Sequence, residues 1–238
     1  MNDMQNETEM KQRVALVTGA TSGLGLATAR KFCEEGFICY VLGRKPEKTR
    51  QAAEQLGENA RPLVFDLTDL ADIPDMVSGL LAEAGRIDVL VNNAGINMKK
   101  PMLEVTDDDF DTIIHTNLRS VFSMSREVAR VMKEQGGGSI VHISSMAAQY
   151  GLPYVIAYSA SKTAIEGMTR AMAVELAPMK VRVNCVAPGF IKTPMTAKAL
   201  DSDPQRKSRV FARTPMGEMG MPEDIADAVS YLVSDAAR

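Results

Sequence analysis

The sequence is poor in the residues that build metal sites and disulfide frameworks. Its 238 residues hold three cysteines and two histidines. Cys33, Cys39 and Cys185 are odd in number, widely spaced and free of any CxxC pattern. That argues against a disulfide scaffold or zinc site and fits reduced thiols in a cytoplasm. Long apolar runs are missing too: none approaches the roughly 20 residues of a membrane-spanning helix. The first ten residues are polar and acidic, so no secretory signal is expected. Basic residues are not in excess, and the net charge is -3. A nucleic-acid partner would need a clustered basic surface, so none is expected. What is present is an ordinary globular balance, 45% hydrophobic and 24% charged, enough for one large domain with a full core. Sixteen methionines are most simply read as core filling.

Residues 1–11 read as a flexible tail. Beyond them, short β-branched runs alternate with longer amphipathic ones. Strands are expected at Arg13–Thr18, Ile38–Leu42, Pro62–Phe65, Ile87–Val91, Ser139–Ile143 and Val181–Val186. Helices are expected at Gly23–Glu35, Pro46–Leu56, about Leu70–Ala84, Thr106 to about Lys133, about Tyr154–Ala177 and about Glu223–Ser234. Thr106 is a good N-cap, and Asp107, Asp108 and Asp109 suit the positive end of a helix dipole. Apolar strands this continuous, alternating with helices, predict an α/β domain: a doubly wound, Rossmann-type parallel sheet covered on both faces.

Tyr158 and Lys162 lie four residues apart on an expected helix, hence on one face. A phenol is a poor base at neutral pH. A nearby cation favours the phenolate and lowers its pKa, which makes the pair a proton-transfer group for alcohol/ketone chemistry. A solvated surface pair would have the same spacing. Upstream, the first strand runs into Thr18-Gly19-Ala20-Thr21-Ser22-Gly23-Leu24-Gly25 and then a helix. Glycines there let a pyrophosphate approach the backbone, and the helix N-terminus supplies free N–H groups. The second strand ends in Leu42-Gly43-Arg44-Lys45. It offers no carboxylate for the ribose 2′-OH of NAD, whereas Arg44 can fork onto the 2′-phosphate of NADP. Asp66, at the third strand's carboxyl end, reads as an adenine contact or as a turn Asp capping its own loop. Asn92-Asn93-Ala94-Gly95 follows the fourth strand, as a close-approach site or a plain turn. His142, within a strand, reads as a packed or hydrogen-bonded residue. His115 carries no assigned role.

These segments together resemble the short-chain dehydrogenase/reductase family, from about Arg13 to the end. The resemblance rests on TGATSGLG at Thr18–Gly25, NNAG at Asn92–Gly95, Asn117, ISS at Ile143–Ser145, YSASK at Tyr158–Lys162, and Pro188-Gly189. It implies a general acid/base at Tyr158, with Lys162 holding the nicotinamide ribose and lowering the Tyr158 pKa. Ser145, thirteen residues before the tyrosine, would bond the reacting oxygen. Asn117 would kink its helix and hold a relay water. Asp66 and Leu67 would contact adenine, and Asn93, Ala94 and Gly95 would line the adenosine side. Pro188, Gly189, Ile191 and Thr193 would hold the nicotinamide end. NADP(H) is the favoured coenzyme, with NAD(H) the other possibility, and no metal is needed. The expected partners are a small carbonyl or alcohol substrate and further copies of the chain, as a homotetramer or homodimer.

The stretch from about 190 to 220 reads as a substrate lid, with Lys192, Lys198, Arg206, Lys207, Arg209 and Arg213. Lys99 and Lys100 lie near the same mouth. Such groups suit an anionic substrate or a solvated surface. INMKKP and the lid are similar to sugar-acid dehydrogenases such as gluconate 5-dehydrogenase, the first reading, and to 3-oxoacyl-carrier-protein reductases, the second. A non-catalytic coenzyme sensor is the reading from another class. The resemblance also implies one more strand after the last helix, where only Asp235-Ala236-Ala237-Arg238 follow. Either the sequence stops as a fragment does, the favoured reading, or the protein lacks that strand and exposes a sheet edge.

Overall fold

The computed structural model describes residues 12–194, 196, 208, 211–212 and 214–238. The proposed tail lies outside them, as do Lys198, Arg206, Lys207, Arg209 and Arg213 of the expected lid. The strands are β1 (Val14–Thr18), β2 (Ile38–Gly43), β3 (Ala60–Val64), β4 (Val89–Asn92), β5 (Gly138–Ile143) and β6 (Val181–Val186). The helices that cover them are α1 (Gly23–Glu34), α2 (Pro46–Leu56), α3 (Ile73–Ala84), α4 (Asp107–Ile114), α5 (Ser120–Gln135), α6 (Ile156–Leu176) and α7 (Pro222–Val233). The six strands make one parallel sheet in the order β3-β2-β1-β4-β5-β6.

Strands β1 and β4 are buried along their whole length, so their apolar runs show no alternation. The pleat still sorts their side chains by parity. Ala15, Val17, Cys39 and Val41 face a core with Ala29 and Phe32 of α1, Ala52 and Ala53 of α2, and Val229 of α7. Leu16, Leu42, Leu90 and Ile140 face the other way, onto Val77 and Leu80 of α3 and Met124, Val128 and Met132 of α5, with Met172 of α6 beside them. The sheet is thus wound on both faces, as expected. Methionine fills the core only in part: Met124 and Met132 are fully buried, while Met102 and Met216 are 68% and 84% exposed.

Several expected elements differ in detail. The single helix from Thr106 is α4, a π-helical turn at His115–Arg119, and α5. Thr106 does cap it: its hydroxyl accepts from Asp109 N–H, and the Asp109 carboxylate accepts from Thr106 N–H, both at 3.1 Å. Helix α6 begins at Ile156 because Tyr154 has φ +69°, outside the helical region. Strand β3 begins at Ala60 and includes Pro62, tolerated because β3 is a sheet edge. Strand β6 is the opposite edge, and a short 3₁₀ turn at Asp235–Ala237 follows α7. Of the expected lid, the described feet lie together: Ile191 bridges Gly220 in parallel, Lys192 N–H donates to Gly220 C=O at 2.9 Å, and Gly220 N–H to Phe190 C=O at 3.1 Å.

Candidate active site

The sheet order reverses between β1 and β4, and the crevice at such a switch point lies beyond the carboxyl ends of the strands. A cavity of about 520 Å³ sits there. Its walls include the turns after all six strands. Gly19 begins the first turn with φ +64°, and a Cβ there would fall 2.9 Å from Ala94 Cα. Only glycine meets both conditions. The turn is fastened to β4 by Asn93, whose side-chain amide donates to Thr18 C=O at 2.9 Å and Gly19 C=O at 3.2 Å. The Thr18 hydroxyl in return accepts from Asn93 and Ala94 N–H, both at 3.0 Å. At the start of α1, Ser22 makes no side-chain cap and the first turn carries no acidic residue. The first-turn N–H groups therefore have no capping side chain or carboxylate of their own to satisfy them, which suits an anion.

The catalytic candidates meet at the other end of the cavity. Ser145 follows β5, and Ser144 N–H fixes that turn to Val186 C=O of β6 at 2.8 Å. Ser145, Tyr158 and Lys162 line the cavity together, and the Ser145 hydroxyl accepts from Ala147 N–H at 3.1 Å. Burial raises the Tyr158 pKa, and the nearby Ser145 side chain offsets this only in part. The expectation that Lys162 lowers it is corrected on this point. The ammonium lies 5.7 Å from the Tyr158 ring centroid and donates instead to Ile143 C=O at 2.7 Å. Desolvating a phenolate costs more than its surroundings return. Burial also pushes Lys162 itself down to about 8.

Asn117 is fully buried in the π-helical turn. It joins this group from behind the wall, donating to Ser161 Oγ at 3.3 Å. Gly25 likewise lies behind the wall, packed against Asn93 and Gly19. The other candidate site residues, Gly19, Thr21, Ser22, Gly23, Leu24, Arg44, Asp66, Leu67, Asn93, Ala94, Gly95, Ser145, Tyr158, Lys162, Pro188, Gly189, Ile191 and Thr193, all line the cavity. Asp66 does cap its own loop: Oδ1 accepts from Thr68 N–H at 3.0 Å and from the Thr68 hydroxyl at 2.8 Å. His142 is fully buried. Its Nδ1 lies 3.1 Å from the Asn92 amide nitrogen, and burial, with the Lys162 charge, pushes its pKa down to about 4. His115 holds Thr68 C=O through Nε2 at 2.9 Å.

Sequence reasoning missed the apolar wall beside Tyr158, made by Met146, Leu152, Val155 and Phe190. Its signal was there: Leu152 and Val155 are apolar in a loop that joins Ser145 to the catalytic helix. Neither Lys99 nor Lys100 reaches this cavity. Lys100 pairs with Asp109 at 2.6 Å and lines an adjoining cavity of about 430 Å³.

The model of the short chain dehydrogenase family matches residues 13–204. The 3-oxoacyl-[acyl-carrier-protein] reductase of Thermotoga maritima is 38% identical over 229 residues, covering 95% of this chain and 92% of its own. A Beutenbergia cavernae structure provisionally designated an NAD(P)-dependent gluconate 5-dehydrogenase, with NADP bound at low occupancy, superposes with a TM-score of 0.90. It is 39% identical over 96% of this chain and 92% of that one. The Brucella melitensis 3-ketoacyl-(acyl-carrier-protein) reductase, complexed with NADH, gives a TM-score of 0.88 at 31% identity, with 94% and 92% coverage. The chain is a member of the short-chain dehydrogenase/reductase family, oxidoreductases acting on CH–OH and C=O groups.

Proposed function

We propose that the protein interconverts a secondary alcohol and a ketone, with NADP(H) as its hydride carrier. One observation carries this reading: Ser145, Tyr158 and buried Lys162 line the same cavity as the glycine turn. When bound, the coenzyme supplies or accepts the hydride. The residues present fit it. Gly19, Thr21, Ser22, Gly23 and Leu24, with the first N–H groups of α1, would hold the pyrophosphate, and Gly25 would let the helix pack closely. Arg44 would take the 2′-phosphate; it is exposed and lines the cavity. Asp66 and Leu67 would meet adenine, and Asn93, Ala94 and Gly95 the adenosine side. Pro188, Gly189, Ile191 and Thr193 would hold the nicotinamide end.

In the reducing direction Tyr158 gives its phenolic proton to the carbonyl oxygen as the carbon gains hydride. In oxidation it takes that proton back. Ser145 Oγ holds the reacting oxygen. Lys162 would hold the ribose. Asn117 orders the loop after β4 beside them.

For the substrate, a sugar acid such as gluconate rests on the likeness to the Beutenbergia cavernae protein. A 3-oxoacyl thioester is the second reading, favoured by the apolar wall of Met146, Leu152, Val155 and Phe190. We further read the protein as a cytoplasmic homotetramer or homodimer; the exposed rings of Phe110 on α4 and Phe122 on α5 support a covered face. Coenzyme oxidation over a panel of ketones, including a keto sugar acid and a 3-oxoacyl thioester, tests the proposal. Turnover with NADPH supports it. A folded protein that binds NADPH and turns over nothing on a broad panel refutes it and favours the coenzyme sensor.

A further inference from the structure

Gly43, the last residue of β2, has no room for a side chain. A Cβ there would fall 2.5 Å from Thr21 Cγ2 and 2.5 Å from Thr49 Oγ1. Its φ is not positive, so the obstacle is space and not backbone conformation. Thr49 is not free to retreat, and the backbone that carries Thr21 is held. Thr49 is fully buried, and its hydroxyl and N–H both donate to Lys45 C=O, at 2.9 and 3.0 Å. Thr21 belongs to the glycine turn, which is tied to β2 by Ala20 N–H donating to Leu42 C=O at 3.1 Å. Gly43 itself is held from the third side, its C=O accepting from Phe65 N–H at 3.1 Å.

The position matters because the residue ending β2 is where an acidic side chain would bind a ribose 2′-OH. Gly43 and Arg44 both line the cavity. The nearby carboxylate, Asp66, has Oδ1 engaged by Thr68 and feels the Arg44 charge. We propose that Thr21 and Thr49 are specificity-determining residues for the coenzyme: by filling the space at Gly43, they bar a ribose-binding carboxylate and leave Arg44 to select a 2′-phosphate. The inference rests on the NADP(H) reading and adds a cause to it. Selectivity at this site lies in packing between the glycine turn and α2 as well as in the charge of Arg44.

The test combines direct coenzyme binding, by fluorescence titration of NADPH and NADH without any carbonyl substrate, with thermal denaturation of the coenzyme-free protein. Gly43→Asp in the native background should weaken both coenzymes by about tenfold or more, the scale of an overpacked site. In a Thr21→Ala/Thr49→Ala background the same change should be accommodated and should make NADH bind more tightly than NADPH. Gly43→Ala serves where the aspartate variant does not fold. It should lower Tm by at least about 3 °C in the native background and by less than half as much in the double-alanine background. A single Gly43→Asp that prefers NADH as strongly as the triple variant would overturn the proposal. So would an equal Tm loss for Gly43→Ala in both backgrounds. A native protein that binds NADH as tightly as NADPH would instead overturn the coenzyme reading beneath it, while the denaturation cycle still reports on the closure.

Discussion

Asn117 clasps both backbone groups of Ile96. Its Oδ1 accepts from Ile96 N–H at 2.8 Å, and its Nδ2 donates to Ile96 C=O at 2.8 Å. The clasp fixes the loop that leaves β4 to the π-helical turn, at a point where Gly95 lies close to both Asn117 and Lys162. Asn117→Ala would strand two part-buried backbone groups, each costing at most about 1–3 kcal/mol. We expect a drop in Tm together with a loss of turnover. Asn117→Asp keeps the acceptor and loses the donor, so denaturation should place it between the two.

His142 gives the protein an acid-sensitive core. Its folded pKa lies near 4, against about 6.5 when unfolded. Between these values the unfolded chain binds the extra proton, so stability is present above pH 6.5 and is lost as pH falls towards 4. The contribution is about 3 kcal/mol at full extent. The lowered carboxylates, Asp66 and Asp109, start from 3.8 and act below that window. Denaturation at several pH values should show a falling Tm between pH 6.5 and 4, and His142→Asn should flatten that slope whatever it does to the absolute Tm.

Arg44→Asp should move the balance between coenzymes towards NADH. Removing a guanidinium that forks onto a phosphate loses about 1.5–3 kcal/mol, or roughly ten- to a hundredfold in NADPH affinity. NADH binding should change little, because Gly43 and its threonine neighbours are unaltered. Titration with both coenzymes reads the ratio; an unchanged ratio would make Arg44 a surface residue only.

Much of the fold was legible because buried parallel strands carry unbroken apolar runs, as β1 and β4 do. The candidate site was legible where chemistry needs a fixed residue type: the glycines of the first turn, Ser145, Tyr158 and Lys162. The break in the long helix at His115–Arg119 was implied only by the resemblance at Asn117 and not by periodicity, because Asn117 acts through Ile96, a contact made across 21 residues of chain. Tyr154, with positive φ, gave no warning that α6 starts two residues later. The Tyr158 pKa went the other way because spacing puts Lys162 on the right face without saying where its ammonium points. The closure at Gly43 joins residues from a turn, a strand and a helix, so no local pattern announces it.

The central claim is that Tyr158 moves the proton. The direct measurement is carbonyl reduction by Tyr158→Phe beside the native enzyme, with NADPH affinity determined on both. The phenylalanine keeps the ring that packs in the cavity and removes only the hydroxyl. Turnover should fall by about 10²–10⁴-fold while NADPH affinity stays within a few-fold. A variant that turns over at the native rate would contradict the account.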